Sequence, residues 1–122
     1  MAVYPGTNLV TSMFALITGD TPHLALFTTN PGPGGTGTEV TGGTYARQPI
    51  TFSSIVDNSI SNTAAIEFDG MPAVTAPYFA IYDAVSGGNL LAYGPVADPI
   101  VAVADDTVQF NIGDLELNFN GS

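Results

Sequence analysis

The run Pro77-Tyr78-Phe79-Ala80-Ile81-Tyr82-Asp83-Ala84-Val85-Ser86-Gly87-Gly88-Asn89-Leu90-Leu91-Ala92-Tyr93 decides the fold. Tyr78 to Asp83 is almost continuously apolar, the pattern of a strand buried on both faces. With a period of two, Tyr78 and Tyr82 share one face and Phe79 and Ile81 share the other. Ser86-Gly87-Gly88-Asn89 supplies the hairpin turn, where glycine takes a positive φ without steric cost, and Leu90 to Tyr93 returns as the second strand.

Towards the N-terminus, Ile60 to Phe68 and Tyr45 to Phe52 read as further strands. Pro49 marks the latter as an edge or a bulge. His23 to Thr29 is a strand with Leu24, Leu26 and Thr28 on one side and Ala25 and Phe27 on the other. Between them Asn30 to Gly43 carries two prolines and six glycines in fourteen residues. Such a run holds no regular structure and reads as a long surface loop, or an arm that orders on a partner. Towards the C-terminus, Ile100 to Ala104, Thr107 to Ile112 and Leu115 to Phe119 are strands divided by Asp105-Asp106 and Gly113-Asp114. About seven or eight short strands with turn signals at roughly 8–12-residue spacing predict a single antiparallel β-sandwich over residues 1–122, jelly-roll or immunoglobulin-like. One short N-terminal helix is expected within residues 1–20. Leu9, Val10, Met13, Phe14, Leu16 and Ile17 follow helical spacing, Thr7 or Asn8 can cap its start and Gly19 can end it.

Composition narrows the chemistry. The chain of 122 residues has eleven carboxylates, one arginine (Arg47), one histidine (His23), no lysine and no cysteine, for a net charge of −10. Nucleic-acid binding requires several Lys or Arg contacts to phosphates, so it is not expected. Nor is attachment to anionic lipid by a basic cluster. No basic segment followed by a long apolar run marks a leader, and no apolar stretch approaches the roughly 20 residues of a membrane span. No enzymatic activity is expected. His23 follows Pro22 at a strand start, the position of an ordinary edge histidine. The dispersed acids sit in or beside turns, where turn chemistry accounts for them. Oxygen donors at Asp57-Asn58, Asp83 and Asp105-Asp106 suit calcium, but no EF-hand spacing supports it and no cofactor is expected.

The stretch Leu24-Ala25-Leu26-Phe27-Thr28-Thr29-Asn30-Pro31, followed by Gly37-Thr38-Glu39-Val40-Thr41-Gly42-Gly43-Thr44-Tyr45-Ala46-Arg47-Gln48, resembles a family of small tailed-bacteriophage virion proteins with the pattern ALFTxxPG…GTEVxGGxYARQ. Asn62-Thr63-Ala64-Ala65-Ile66, Met71-Pro72 and Ile81-Tyr82-Asp83-Ala84 also fit it. Members are commonly labelled tail fibre proteins, and similar small β-sandwich proteins decorate phage heads. The resemblance implies a virion component and brings no catalytic residues. Physical chemistry adds an expectation for the central segment. Gly42 and Gly43 let the chain leave the loop in a conformation closed to other residues. Tyr45 buries its ring, Arg47 points to the opposite face, and Arg47 pins the loop by bonding Glu39.

The leading expectation is therefore a capsid decoration (cement) protein that stabilises a head shell by bridging capsid subunits. The alternative is a tail or tail-fibre component involved in host attachment. In either case the partner is the major capsid protein or another virion protein, a homo-oligomer (trimer) suits local threefold symmetry, and assembly takes place in the host cytoplasm. The residues expected to meet neighbours are Arg47, Tyr45, Glu39, Gly42 and Gly43, with Leu9, Met13 and Phe14 on the helix face.

Overall fold

A computed structural model describes residues 15, 21–54 and 59–118. Eight strands lie among them: β1 (His23–Phe27), β2 (Gln48–Pro49), β3 (Ser59–Ser61), β4 (Ile66–Met71), β5 (Val74–Tyr82), β6 (Leu90–Ala102), β7 (Asp106–Phe110) and β8 (Glu116–Asn118). One antiparallel sheet has the order β2-β1-β5-β6, and β3–β8 and β4–β7 form two antiparallel ribbons. The expected helix, with Leu9, Met13 and Phe14, lies outside the described residues except for Ala15, which is helical, and Asp57-Asn58 lies outside them too. Among the described residues no helix is long and apolar enough to cross a membrane.

Alternation in β1 builds the layers. Leu24 and Leu26 join one core with Ile81 and Ala76, while Ala25 and Phe27 join a second with Ala80 and Tyr82. β1 is thus covered on both faces, which is why it is apolar throughout. The larger core lies between the four-stranded sheet and the two ribbons. Ile60 opposite Leu117 and Ile66 opposite Phe110 contribute from the ribbons. Each fully buried leucine or isoleucine there stabilises the fold by about 1.5–3 kcal/mol. Tyr45 stacks on Phe68 at 5.7 Å, and Phe68 meets Phe110 edge-on at 6.2 Å, which links the β4–β7 ribbon to the loop before β2.

The structure corrects three strand readings. Ile60 to Phe68 is two strands, β3 and β4, because Asn62 turns the chain between them. Asn62 is 1% exposed. Its Nδ2 donates to the Ala64 and Asn111 carbonyls at 2.9 and 3.0 Å, and its Oδ1 accepts from the Gly113 and Leu115 amides at 3.1 and 3.0 Å. A side chain that occupies four backbone groups replaces the ladder the strand would need. Tyr45 to Phe52 shortens to Gln48–Pro49 plus an isolated bridge from Phe52 to Asn62. Leu90 to Ala102, expected as two strands, is one edge strand that tolerates Pro95 and Pro99 because its outer side needs no partner. It bulges from β5: Pro95 pairs Tyr78 and Ile100 pairs Ala76, so residues 96–99 stand against Pro77 alone.

Candidate functional site: a clamp around Arg47

The outer edge of β1 is shared by two partners. β2 pairs with His23 and Leu24. Further along, residues 38–40 take over: the Thr28 amide donates to the Thr38 carbonyl at 2.8 Å, the Val40 amide to the Leu26 carbonyl at 2.9 Å, and Phe27 bridges Glu39. The Leu26 N–H falls between these partners. It donates to Tyr45 Oη at 2.9 Å, and Tyr45 Oη donates in turn to Glu39 Oε2 at 2.8 Å. A buried amide left by the ladder is therefore satisfied through a phenol that hands its own proton to a carboxylate.

Arg47 completes the arrangement. Nε donates to Glu39 Oε2 at 3.0 Å and Nη2 to Glu39 Oε1 at 2.9 Å, the bidentate fork of guanidinium on carboxylate. Nη1 donates to the Ala84 and Gly87 carbonyls at 3.2 and 2.8 Å, which reaches the β5–β6 turn. The guanidinium carbon lies 3.8 Å from the centre of the Tyr82 ring, a cation–π contact. Tyr82 stacks on Phe27 in turn, at 6.3 Å and 7° between planes. The Arg47 side chain is 9% exposed and that of Glu39 25%. Glu39 is thus the expected partner of Arg47. The expected opposite-face placement is corrected, because residues two apart in extended chain share a side, and Tyr45 and Arg47 converge on one carboxylate.

The electrostatics follow from this burial. Desolvation pushes the Tyr45 phenol well above the ordinary tyrosine range, and its bond to Glu39 adds to the rise against an opposing pull from the Leu26 amide. The hydrogen bonds to Glu39 raise the Arg47 pKa, against desolvation. Burial raises the Tyr82 phenol too, with Arg47 opposing it.

The Asn30–Gly43 segment is a surface loop anchored to the body at a few points. Pro31 and Val40 are buried, the Gly37 amide donates to the Pro31 carbonyl, and the Thr38 amide to Thr29 Oγ1 at 2.7 Å. Gly42 and Gly43 have φ of +113° and +56°, and a Cβ on Gly43 would run into the Gly70 carbonyl oxygen. That contact leaves room for the Thr44 amide to donate to the same oxygen at 2.9 Å, which joins the loop to the bulge of β4.

The other candidate side chains serve local structure. Nδ1 of His23 lies 3.0 Å from the Thr21 carbonyl oxygen. Asp83 accepts from the Asn89 amide at 2.7 Å and from Asn89 Nδ2 at 3.1 Å, closing the hairpin turn, and the Asn89 amide holds its carboxyl below the usual range. Asp106 accepts from the Val103 and Thr107 amides. Among the described residues no three His, Asp or Glu side chains gather as metal ligands. Asn62 and the Tyr82 ring escaped sequence reasoning as polar partners.

The family model described as Podophage GP4 fiber I protein gp80 matches residues 7–118 of this chain. No curated protein matches it.

Proposed function

The chain belongs to the podophage GP4 fiber I protein gp80 family, and from that premise we propose that it is a non-enzymatic structural component of the tail-fibre apparatus that assembles with another virion protein. The observation that carries this reading is the family match across nearly the whole chain. It favours the fibre over capsid decoration, the leading expectation from the residues alone. The geometry agrees with a shape-presenting role: Arg47, Glu39 and Tyr45 bond one another and the backbone, and none is left free to act on a substrate. On this reading the protein is a virion component put together in the host cytoplasm, as a homo-oligomer of which the trimer is the first to test by sedimentation.

Localisation on the intact particle tests the proposal. Antibody-gold labelling is expected at the tail, with few copies per virion by quantitative mass spectrometry. Label spread over the head facets at lattice copy number would overturn the fibre reading and restore capsid decoration.

A further inference from the structure

A groove of about 480 Å³ opens where β6 leaves β5 and faces β7 and β8. That volume falls within the range of specific binding clefts, about 300–1,000 Å³. Its floor is apolar: Phe79, Ile100 and Phe110 line it, all packed on the main core and all half-buried. Its remaining lining includes three carboxylates, Asp98, Asp114 and Glu116, each on an exposed residue. Asp114 accepts from the Asn111 amide at 2.8 Å, while Asp98 and Glu116 accept no hydrogen bond from a described residue. The residues that open the groove do so for a physical reason. Pro77 has no N–H to offer β6, so residues 96–99 bow away from the sheet and become a wall.

We propose that this groove seats a lysine- or arginine-bearing extended segment of a different protein, with the aliphatic stem on Phe79, Ile100 and Phe110 and the cationic head among Asp98, Asp114 and Glu116. Long basic side chains combine an apolar stem with a charged end, which matches an apolar floor and an acidic lining in one cleft. Charge complementarity excludes a second copy as the occupant. Each copy carries −10, and its one Arg or Lys is Arg47, held by Glu39, two carbonyls and the Tyr82 ring. The inference rests on the fibre reading only for the source of the segment, another virion protein.

The test is nuclear magnetic resonance titration of the full chain with a blocked Leu-Lys-Leu-Lys-Leu peptide. Its norleucine-for-lysine analogue and maltotriose serve as comparisons. Amide shifts are expected at residues 79, 98, 100, 110 and 114–116, weakening as salt rises. Asp98→Asn and Glu116→Gln each lower affinity about three- to fivefold, the scale of a solvent-accessible ion pair. Glu67→Gln, an exposed carboxylate on β4 outside the groove, leaves it unchanged. All three replace an exposed acid by its amide, so each variant is expected to fold. The proposal is overturned if the lysine peptide causes no shifts at millimolar concentration, if Glu67→Gln costs as much as Glu116→Gln, or if the norleucine peptide or maltotriose moves the same amides equally well. Gold label on the head would refute the fibre reading and leave this titration untouched.

Discussion

Replacing Arg47 by Ala removes four hydrogen bonds and a cation–π contact from a nearly enclosed site. Removing one partner of a fully buried ion pair costs about 3–5 kcal/mol. Glu39 is one-quarter exposed and keeps its bond from Tyr45, so it rehydrates in part and the loss falls to about 2 kcal/mol. The contact with Tyr82 adds about 1 kcal/mol. The Gly87 carbonyl is exposed and finds water, so it adds little. The sum, about 3 kcal/mol, lowers Tm by about 10–12 °C for a chain of this size. Urea denaturation of Arg47→Ala, Glu39→Gln and the double variant measures the coupling, expected at about 1–2 kcal/mol. Hydrogen exchange then reports where the loss falls: the Thr28 and Thr38 amides, which close the Asn30–Gly43 loop, exchange faster in Arg47→Ala while β5 is unchanged. A coupling below about 0.5 kcal/mol, or a loop whose protection matches the parent, would falsify the clamp.

Asn62→Ala leaves the buried Leu115 amide without a partner and turns the exposed Ala64 and Asn111 carbonyls over to water, while the Gly113 amide keeps the main-chain carbonyl of residue 62, and a stability loss of about 2 kcal/mol is expected in urea; a loss under about 0.5 kcal/mol contradicts the role given to that side chain. Gly43→Ala meets both a left-handed φ and the Gly70 carbonyl, so a loss of at least about 2 kcal/mol is expected, with thermal melting as the measure. The raised Tyr45 phenol fixes a pH dependence. Its folded pKa exceeds the unfolded one, so its contribution is complete below pH ~10 and is lost as pH rises beyond it. Tyr45→Phe therefore flattens the alkaline limb of a stability–pH curve, leaving the part due to Tyr82; an unchanged limb counts against the burial argument. Asp83 acts in the other direction: its carboxyl is held low by Asn89, so its contribution is present above pH ~4 and disappears as pH falls below that, an acid limb that Asp83→Asn should reduce.

Period-two alternation was enough to read β1 and the Tyr78–Tyr82 half of β5, because both are buried on two faces and leave little choice of register, whereas Val74–Pro77 also belongs to β5 and lies outside the run that reads as strand. Leu24 and Leu26 on one side and Ala25 and Phe27 on the other needed no long-range information. The glycines of the Ser86–Asn89 turn were legible for the same local reason, and Gly87 and Gly88 both have positive φ. The pairing of Arg47 with Glu39 was legible because the lone cation meets an acid almost unavoidably, and Glu39, eight residues before it in the loop it closes, is the nearest along the chain. Three features depend on tertiary contact and left no local trace. The two-on-one bonding of Glu39 requires knowing that β1 changes partners at Leu26. The division at Asn62 depends on residues about fifty positions away in the chain. The anchoring of Asn30–Gly43 depends on Pro31 and Val40 finding cover, and glycine content alone speaks only to the backbone. The acidic groove was invisible too, since it arises from a mismatch of strand lengths between β5 and β6.

The Arg47 brace ties three chain segments together without a covalent bond, in a molecule that has no thiol. Such a joint can be sheared open and snap shut again with no chemical repair. It is indifferent to oxidants and reductants, and its guanidinium, tucked beneath an aromatic lid, is sheltered from dissolved ions. Strong alkali loosens it in one defined way, because ionising the Tyr45 phenol sets a second negative charge against Glu39 and removes the proton they share.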